Sequence, residues 1–82
     1  MNSNVDYREP AELYPGPRLR HGSTGYRRFD TLAEALLFAI EELNPLSLSG
    51  AFIEVDEVRY GSDDIHRLYD SEAFPLPRRP AR

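Results

Sequence analysis

The chain contains no cysteine, no tryptophan and no lysine among its 82 residues. Without cysteine, disulfides and the usual thiolate zinc sites are excluded. No apolar run approaches the length of a membrane span, and residues 1–10 lack the apolar stretch of a signal peptide. These absences are typical of a protein of the reducing cytosol, so we predict a cytoplasmic location without membrane attachment.

Charge is sorted along the chain. Residues 30–72 carry eleven carboxylates against two arginines, a net charge of −9. The flanks reverse the sign, because residues 1–29 have five arginines against three acids and residues 73–82 have three arginines and no acid. An acidic middle between basic ends indicates a small interaction protein, and it favours a protein partner with a basic surface.

The chain is also short for an independent fold. Pattern reading leaves a foldable part of about 45 residues, and single cores below about 70 residues rarely supply more than roughly 3 to 5 kcal/mol. Since no disulfide can add stability here, we expect self-association, with a homodimer as the favoured species.

Prolines and glycines mark the two ends of the chain. Residues 1–24 show neither helical nor strand periodicity, so we predict a flexible N-terminal arm there. Residues 73–82 read as an extended Pro/Arg-rich tail whose Pro77-Arg-Arg-Pro80 run fits the PxxP pattern. The folded domain is then residues 25–72, beginning with a short strand over Gly25–Phe29.

The clearest element is a helix over Leu32–Leu43. Thr31 and Glu34 form a capping box at its start, and Pro45 prevents its continuation. Its apolar face consists of Leu32, Ala33, Leu36, Leu37, Ala39, Ile40 and Leu43, with Glu34 and Glu41 opposite. Phe38 falls among the glutamates, where the domain's own sheet should not cover it. We therefore predict a protein interface formed by Phe38, Leu37, Glu34 and Glu41.

A β-hairpin is expected over residues 51–60. A two-residue turn at Asp56-Glu57 would pair Val55 with Val58 and Ile53 with Tyr60 on one apolar face. The same register would set Glu54 opposite Arg59 on the outer face. Asp-Glu is a poor primed turn because neither residue readily takes a positive φ, so a bulge or a longer loop is an alternative.

A second, shorter helix should follow Gly61. Ser62 is a good N-cap, Asp63 and Asp64 suit the positive end of the helix dipole, and the helix should end near Ser71. His66 and Asp70 have metal-ligand spacing, but two ligands do not define a site. We predict no metal, no cofactor and no catalytic residues, because no serine has a plausible base and the acids are explained by turns and helix starts.

The arginines of the N-terminal part define a second hypothesis. Arg18, Arg20, Arg27 and Arg28 alternate with aromatic residues and could follow a nucleic-acid backbone. The acidic middle and a pI near 5.0 argue against that partner, so nucleic-acid binding is the alternative to protein binding.

Three segments of the chain resemble a group of short uncharacterised bacterial proteins. They are Tyr26-Arg-Arg-Phe-Asp-Thr-Leu-Ala-Glu-Ala, Gly50-Ala-Phe-Ile-Glu-Val and Ile65-His-Arg-Leu-Tyr-Asp-Ser. The resemblance implies a bacterial cytosolic protein and no particular chemistry.

From the residues themselves we predict a single small α+β domain of order β-α-β-β-α, with a short sheet covered by one main helix. Its strands before and after the main helix could form a right-handed parallel crossover. The predicted function is a non-enzymatic protein-interaction module.

Overall fold

The computed structural model describes residues 5–14, 26–43 and 45–77. In chain order the elements are β1 (Ala11–Tyr14), β2 (Arg27–Phe29), α1 (Leu32–Glu41), α2 (Pro45–Ser49), β3 (Phe52–Val55), β4 (Val58–Gly61) and α3 (Ser62–Asp70). The four strands form one antiparallel sheet of order β2-β1-β3-β4. The α+β class is confirmed, and the element order gains one strand and one short helix over the predicted β-α-β-β-α.

Strand β1 corrects the prediction of a flexible arm over residues 1–24. It lies between β2 and β3, and its Leu13 side chain is fully buried. The predicted crossover around α1 therefore does not join neighbouring strands, because β1 separates β2 from β3 and pairs with both. Residues 1–4 and 15–24 of the predicted arm lie outside the described residues.

The segment before β1 is tied to the helices by backbone hydrogen bonds. The amides of Leu32 and Ala33, in the first turn of α1, donate to the carbonyls of Glu9 (2.7 Å) and Tyr7 (3.1 Å). First-turn amides have no partner within their own helix, so this segment satisfies part of the helix start. The Tyr7 hydroxyl also donates to the Leu68 carbonyl on α3 (2.9 Å), which links both helices to the N-terminal segment.

Helix α1 starts as predicted and ends two residues early. The Thr31 hydroxyl accepts from the Glu34 amide (3.1 Å), as the capping box requires. The helix ends at Glu41, and Pro45 opens α2 at the first helical position, where its missing amide hydrogen is not needed. Helix α2 occupies residues 45–49, shortly before β3. Asn44, between the two helices, is outside the described residues.

The hairpin has the predicted two-residue turn. Val55 pairs with Val58, Ile53 with Tyr60 and Glu54 with Arg59. Asp56 and Glu57 have φ values of 51° and 71°, so both adopt the left-handed backbone that a type I′ turn needs. No bulge is present in the β3–β4 pair.

The core lies between the inner face of the sheet and helices α1 and α3. Its largest fully buried side chains are Leu13, Leu32, Leu36, Ile53 and Ile65. Val58 points toward this face but is 51% exposed, because it sits at the end of an edge strand. Val58 therefore lies on the predicted face of the hairpin, but its side chain is not buried there.

The predicted C-terminal tail begins inside the core. Phe74 is 7% exposed and contacts the rings of Tyr7 (centroids 5.9 Å apart) and Tyr69 (5.1 Å). Helix α3 itself begins at Ser62, and Gly61 holds the cap position predicted for Ser62, without a side-chain cap bond. Residues 78–82 lie outside the described residues.

Candidate interaction surface

The two faces of the sheet differ in what covers them. Helices α1 and α3 pack on the inner face, together with the buried side chains of β1 and β3. Because side chains alternate along a strand, the outer face carries the other set, which consists of Arg28, Glu12, Tyr14, Phe52, Glu54 and Arg59. Tyr26, just before β2, continues this set.

Three aromatic rings form a row across the outer face. Tyr14 lies in the middle, with ring centroids 5.3 Å from Tyr26 and 4.8 Å from Phe52, the latter pair stacked at 20°. Tyr26 is 53% exposed, whereas Tyr14 and Phe52 are half-buried. We call these three residues the aromatic row.

A row of charged residues runs beside the aromatic row, two positions along each strand. In strand order it reads Arg28, Glu12, Glu54 and Arg59, and Glu12 and Glu54 are direct cross-strand partners. The Arg59 guanidinium lies over the Phe52 ring, 4.6 Å from its centroid. Among the described residues, no arginine nitrogen is within 4.0 Å of either glutamate carboxylate.

Glu12 joins the two rows through hydrogen bonds. The Tyr14 hydroxyl donates to its Oε1 (3.1 Å) and the Tyr26 hydroxyl to its Oε2 (3.2 Å). Desolvation raises the pKa of both tyrosines above the ordinary value of 10.0, and the bond to the negative Glu12 raises it further. Both hydroxyls therefore stay protonated as donors at neutral pH.

A shallow acidic pocket of about 330 Å³ extends the charged row toward the β3–β4 turn. Its carboxylates are Glu9, Glu12, Glu54, Asp56 and Glu57, and its cation is Arg28. We call the aromatic row, the charged row and this pocket together the outer surface. The outer surface has five carboxylates and two arginines, a net charge of −3.

The predicted interface around Phe38 has a different environment from the one expected. Phe38 is half-buried against Phe29 of the edge strand (centroids 5.5 Å apart), and the Arg27 guanidinium covers its ring at 4.6 Å. The premise that the domain's own sheet leaves Phe38 uncovered is therefore wrong. Insertion of β1 widens the sheet, which carries β2 out to this side of the helix.

The other three residues of the predicted interface lie in different environments. Leu37 is half-buried against the core, and Glu34 is exposed. Glu41 accepts a hydrogen bond from the Tyr69 hydroxyl at 2.6 Å, which places it against α3 rather than on an open face. The structure thus does not gather these four residues into one exposed patch.

The four arginines of the nucleic-acid hypothesis are not brought together in what the structure describes. Arg27 and Arg28 are neighbours on β2, and strand alternation sends them to opposite faces of the sheet. Arg18 and Arg20 lie outside the described residues.

The possible metal ligands of the chain are spread over the described residues. Within residues 5–14, 26–43 and 45–77 no group of three or more potential metal ligands comes together. His66 lines an open groove with Leu43, Leu48 and Asp63, between α1, α2 and α3. No helix in the described part of the chain is long and apolar enough to cross a membrane.

The outer surface cannot be predicted from the sequence because β1 cannot. The Ala11-Glu-Leu-Tyr14 segment does alternate small or apolar with polar or amphipathic residues, which is the period of a strand. Four residues between Pro10 and Pro15 are too few to identify a strand with sequence periodicity alone. The sequence pattern therefore places Glu12 and Tyr14 in the predicted arm. Comparison of this chain with protein-family models, curated proteins and solved structures gave no match.

Proposed function

We propose that this chain is a non-enzymatic protein-interaction module and that its outer surface binds a polypeptide partner. The observation that carries the proposal is the aromatic row on a sheet face opposite the helices. Tyrosine and phenylalanine are enriched at protein interfaces, because each supplies a large apolar area at a small cost in conformational entropy. The Tyr14 ring is already held by stacking and by its bond to Glu12, which reduces that cost further.

Nucleic-acid binding is the second candidate, and the same aromatic row favours it. Bases of a single strand stack on exposed aromatic rings, and Arg28 and Arg59 flank the row. The paired carboxylates of Glu12 and Glu54 oppose it, because they would face phosphates. The charge of the outer surface therefore favours a polypeptide over a nucleic acid as the partner.

Photo-crosslinking in the natural host tests the proposal. A benzophenone amino acid placed at Tyr26 should form adducts with a protein partner, since this side chain is 53% exposed at the end of the aromatic row. The matched control is the same amino acid at Leu46 on α2, which is 73% exposed and lies outside the sheet.

The outcomes separate the candidates. Adducts at position 26 that resist nuclease and disappear with protease support the proposal, provided that position 46 gives few. Nuclease-sensitive adducts at position 26 would favour the second candidate. Equal crosslinking at both positions, or adducts only at position 46, would contradict an interface on the outer surface.

A further inference from the structure

We infer that the polypeptide bound by the outer surface is an extended, arginine-bearing segment of a partner protein. The inference rests on the proposed function and specifies the chemistry of the partner. It follows from charge, from the pairing of Glu12 with Glu54 and from the spacing between the two rows.

The net charge of the outer surface disfavours a second copy of this chain and a nucleic acid as the partner. The outer surface has a net charge of −3, so face-to-face packing with a second copy would bring two like-charged surfaces together. A nucleic-acid backbone would be repelled for the same reason. A cationic segment is attracted, and its association is accelerated by the same field.

Glu12 and Glu54 provide the anchoring position. Direct cross-strand partners have Cβ atoms about 4.5–5.5 Å apart, and like charges in that position destabilise the sheet. In the described residues neither carboxylate has an arginine within 4.0 Å. A guanidinium from outside can donate to both carboxylates at once and remove their mutual repulsion.

The aromatic row provides the second position. Within this chain, Arg59 already lies over Phe52 and Arg27 over Phe38, each 4.6 Å from the ring centroid. Cation–π contacts of this type suit arginine better than lysine because the planar guanidinium also stacks on the ring. Tyr26, which is 53% exposed at the end of the row, offers a further ring for such a contact, since Tyr14 is itself flanked by Tyr26 and Phe52.

The spacing of the rows selects an extended segment. The aromatic and charged rows are two residues apart along each strand, or roughly 6.6 Å. Alternate side chains of an extended peptide recur at the same distance. An Arg-x-Arg segment lying along β1 and β3 therefore places one guanidinium between the glutamates and the next over the aromatic row.

Peptide titration tests the inference. The probe is a fluorescein-labelled Arg-Ala-Arg-Ala-Arg peptide, followed by anisotropy with the full chain at physiological salt. The test variant is Glu12→Gln with Glu54→Gln. The control variant is Glu34→Gln with Glu72→Gln, which changes the net charge equally at two exposed positions away from the outer surface. Glutamine is compatible with the capping box at residue 34.

We expect the test variant to bind the arginine peptide about tenfold more weakly than the unmodified chain, and the control variant less than about twofold more weakly. A lysine version of the peptide should bind more weakly than the arginine version. Circular dichroism confirms that each variant is folded. Equal losses in both variants, or an unmodified chain that binds no arginine peptide, would overturn the inference. Adducts at position 26 that persist in that case would leave the proposed function standing.

Discussion

The two residues of the hairpin turn have a backbone conformation that non-glycine residues disfavour. Asp56 and Glu57 both have a positive φ, which costs a non-glycine residue roughly 1 to 2 kcal/mol. Aspartate tolerates this region better than glutamate, because its short side chain can hydrogen-bond locally. The strain is therefore concentrated at Glu57.

Replacing Glu57 by glycine should stabilise the protein. We expect Glu57→Gly to raise the free energy of unfolding by about 0.5–1 kcal/mol, because the relief of the left-handed backbone exceeds the entropic cost of glycine. The measurement is urea denaturation followed by circular dichroism. Glu57→Ala is the control, since it removes the same charge but keeps Cβ, and it should give no gain. A loss of stability in the glycine variant would show that the turn is not strained.

The two tyrosines bound to Glu12 predict a response to alkaline pH. Their pKa values are higher in the folded chain than the ordinary 10.0, so the folded state holds these protons more tightly than the unfolded state. This contribution to stability is complete below about pH 10 and is lost as pH rises through the folded pKa values.

We therefore expect the free energy of unfolding to fall between about pH 9 and about pH 11. Urea denaturation at both values measures the fall. The decrease should be smaller in the Tyr14→Phe, Tyr26→Phe variant, which cannot ionise at these positions. An identical decrease in both proteins would assign it to other groups.

At the scale of elements, local patterns were predictable and distant pairings were not. The capping box fixed the start of α1, and the parity of Ile53, Val55, Val58 and Tyr60 fixed the hairpin register. Both features depend on residues that are close together in the chain. Strand β1 pairs with partners near residues 27 and 54, and its own four residues have too little periodicity to predict a strand. The charged and aromatic rows could not be predicted without it.

Leu13 on β1 and Val58 on β4 differ in burial, and we expect them to differ in their tolerance of a charge. Leu13→Asp should unfold the protein, because it places a charge in a fully buried site on a central strand. Val58→Asp should cost less than about 1 kcal/mol, since this side chain is 51% exposed on an edge strand. Thermal melting compares the two variants. Similar melting temperatures would contradict the observed position of β1.

At the scale of the whole molecule, the segment before β1 contacts the segment after α3. Tyr7 and Phe74 are in edge-to-face contact, and both touch α3 through Tyr69 or Leu68. These contacts join the segment before β1 to the segment after α3. Neither segment is therefore dispensable for packing, although both lie near the ends of the chain.

Truncation separates the packed part of the C-terminal segment from the rest. A chain that ends at Pro77 should melt at nearly the same temperature as the full chain, since Phe74 and its contacts are retained. A chain that ends at Ser71 should lose roughly 3 kcal/mol, in line with removal of a buried phenylalanine. Urea denaturation gives both values. Equal stability of the two truncated chains would mean that Phe74 contributes nothing.

Self-association stays a prediction, motivated by a short chain without disulfides. Analytical ultracentrifugation at micromolar concentration should show a species larger than 9.4 kDa. Because the outer surface repels a second copy, Tyr14→Ser should leave this association unchanged. A monomer whose melting is independent of concentration would contradict the prediction.

The central position of β1 also determines when the fold can be completed during synthesis. Glu12 pairs with Glu54, 42 residues later in the chain, and at about 5–20 residues per second the ribosome needs about 2–8 s to make the intervening segment. The β3–β4 hairpin closes within its own sequence, whereas β1 must wait for β3. Strand β1 is synthesised before its neighbour β3 and therefore completes its pairing late, so that until then Leu13 is open to proteases and to neighbouring chains.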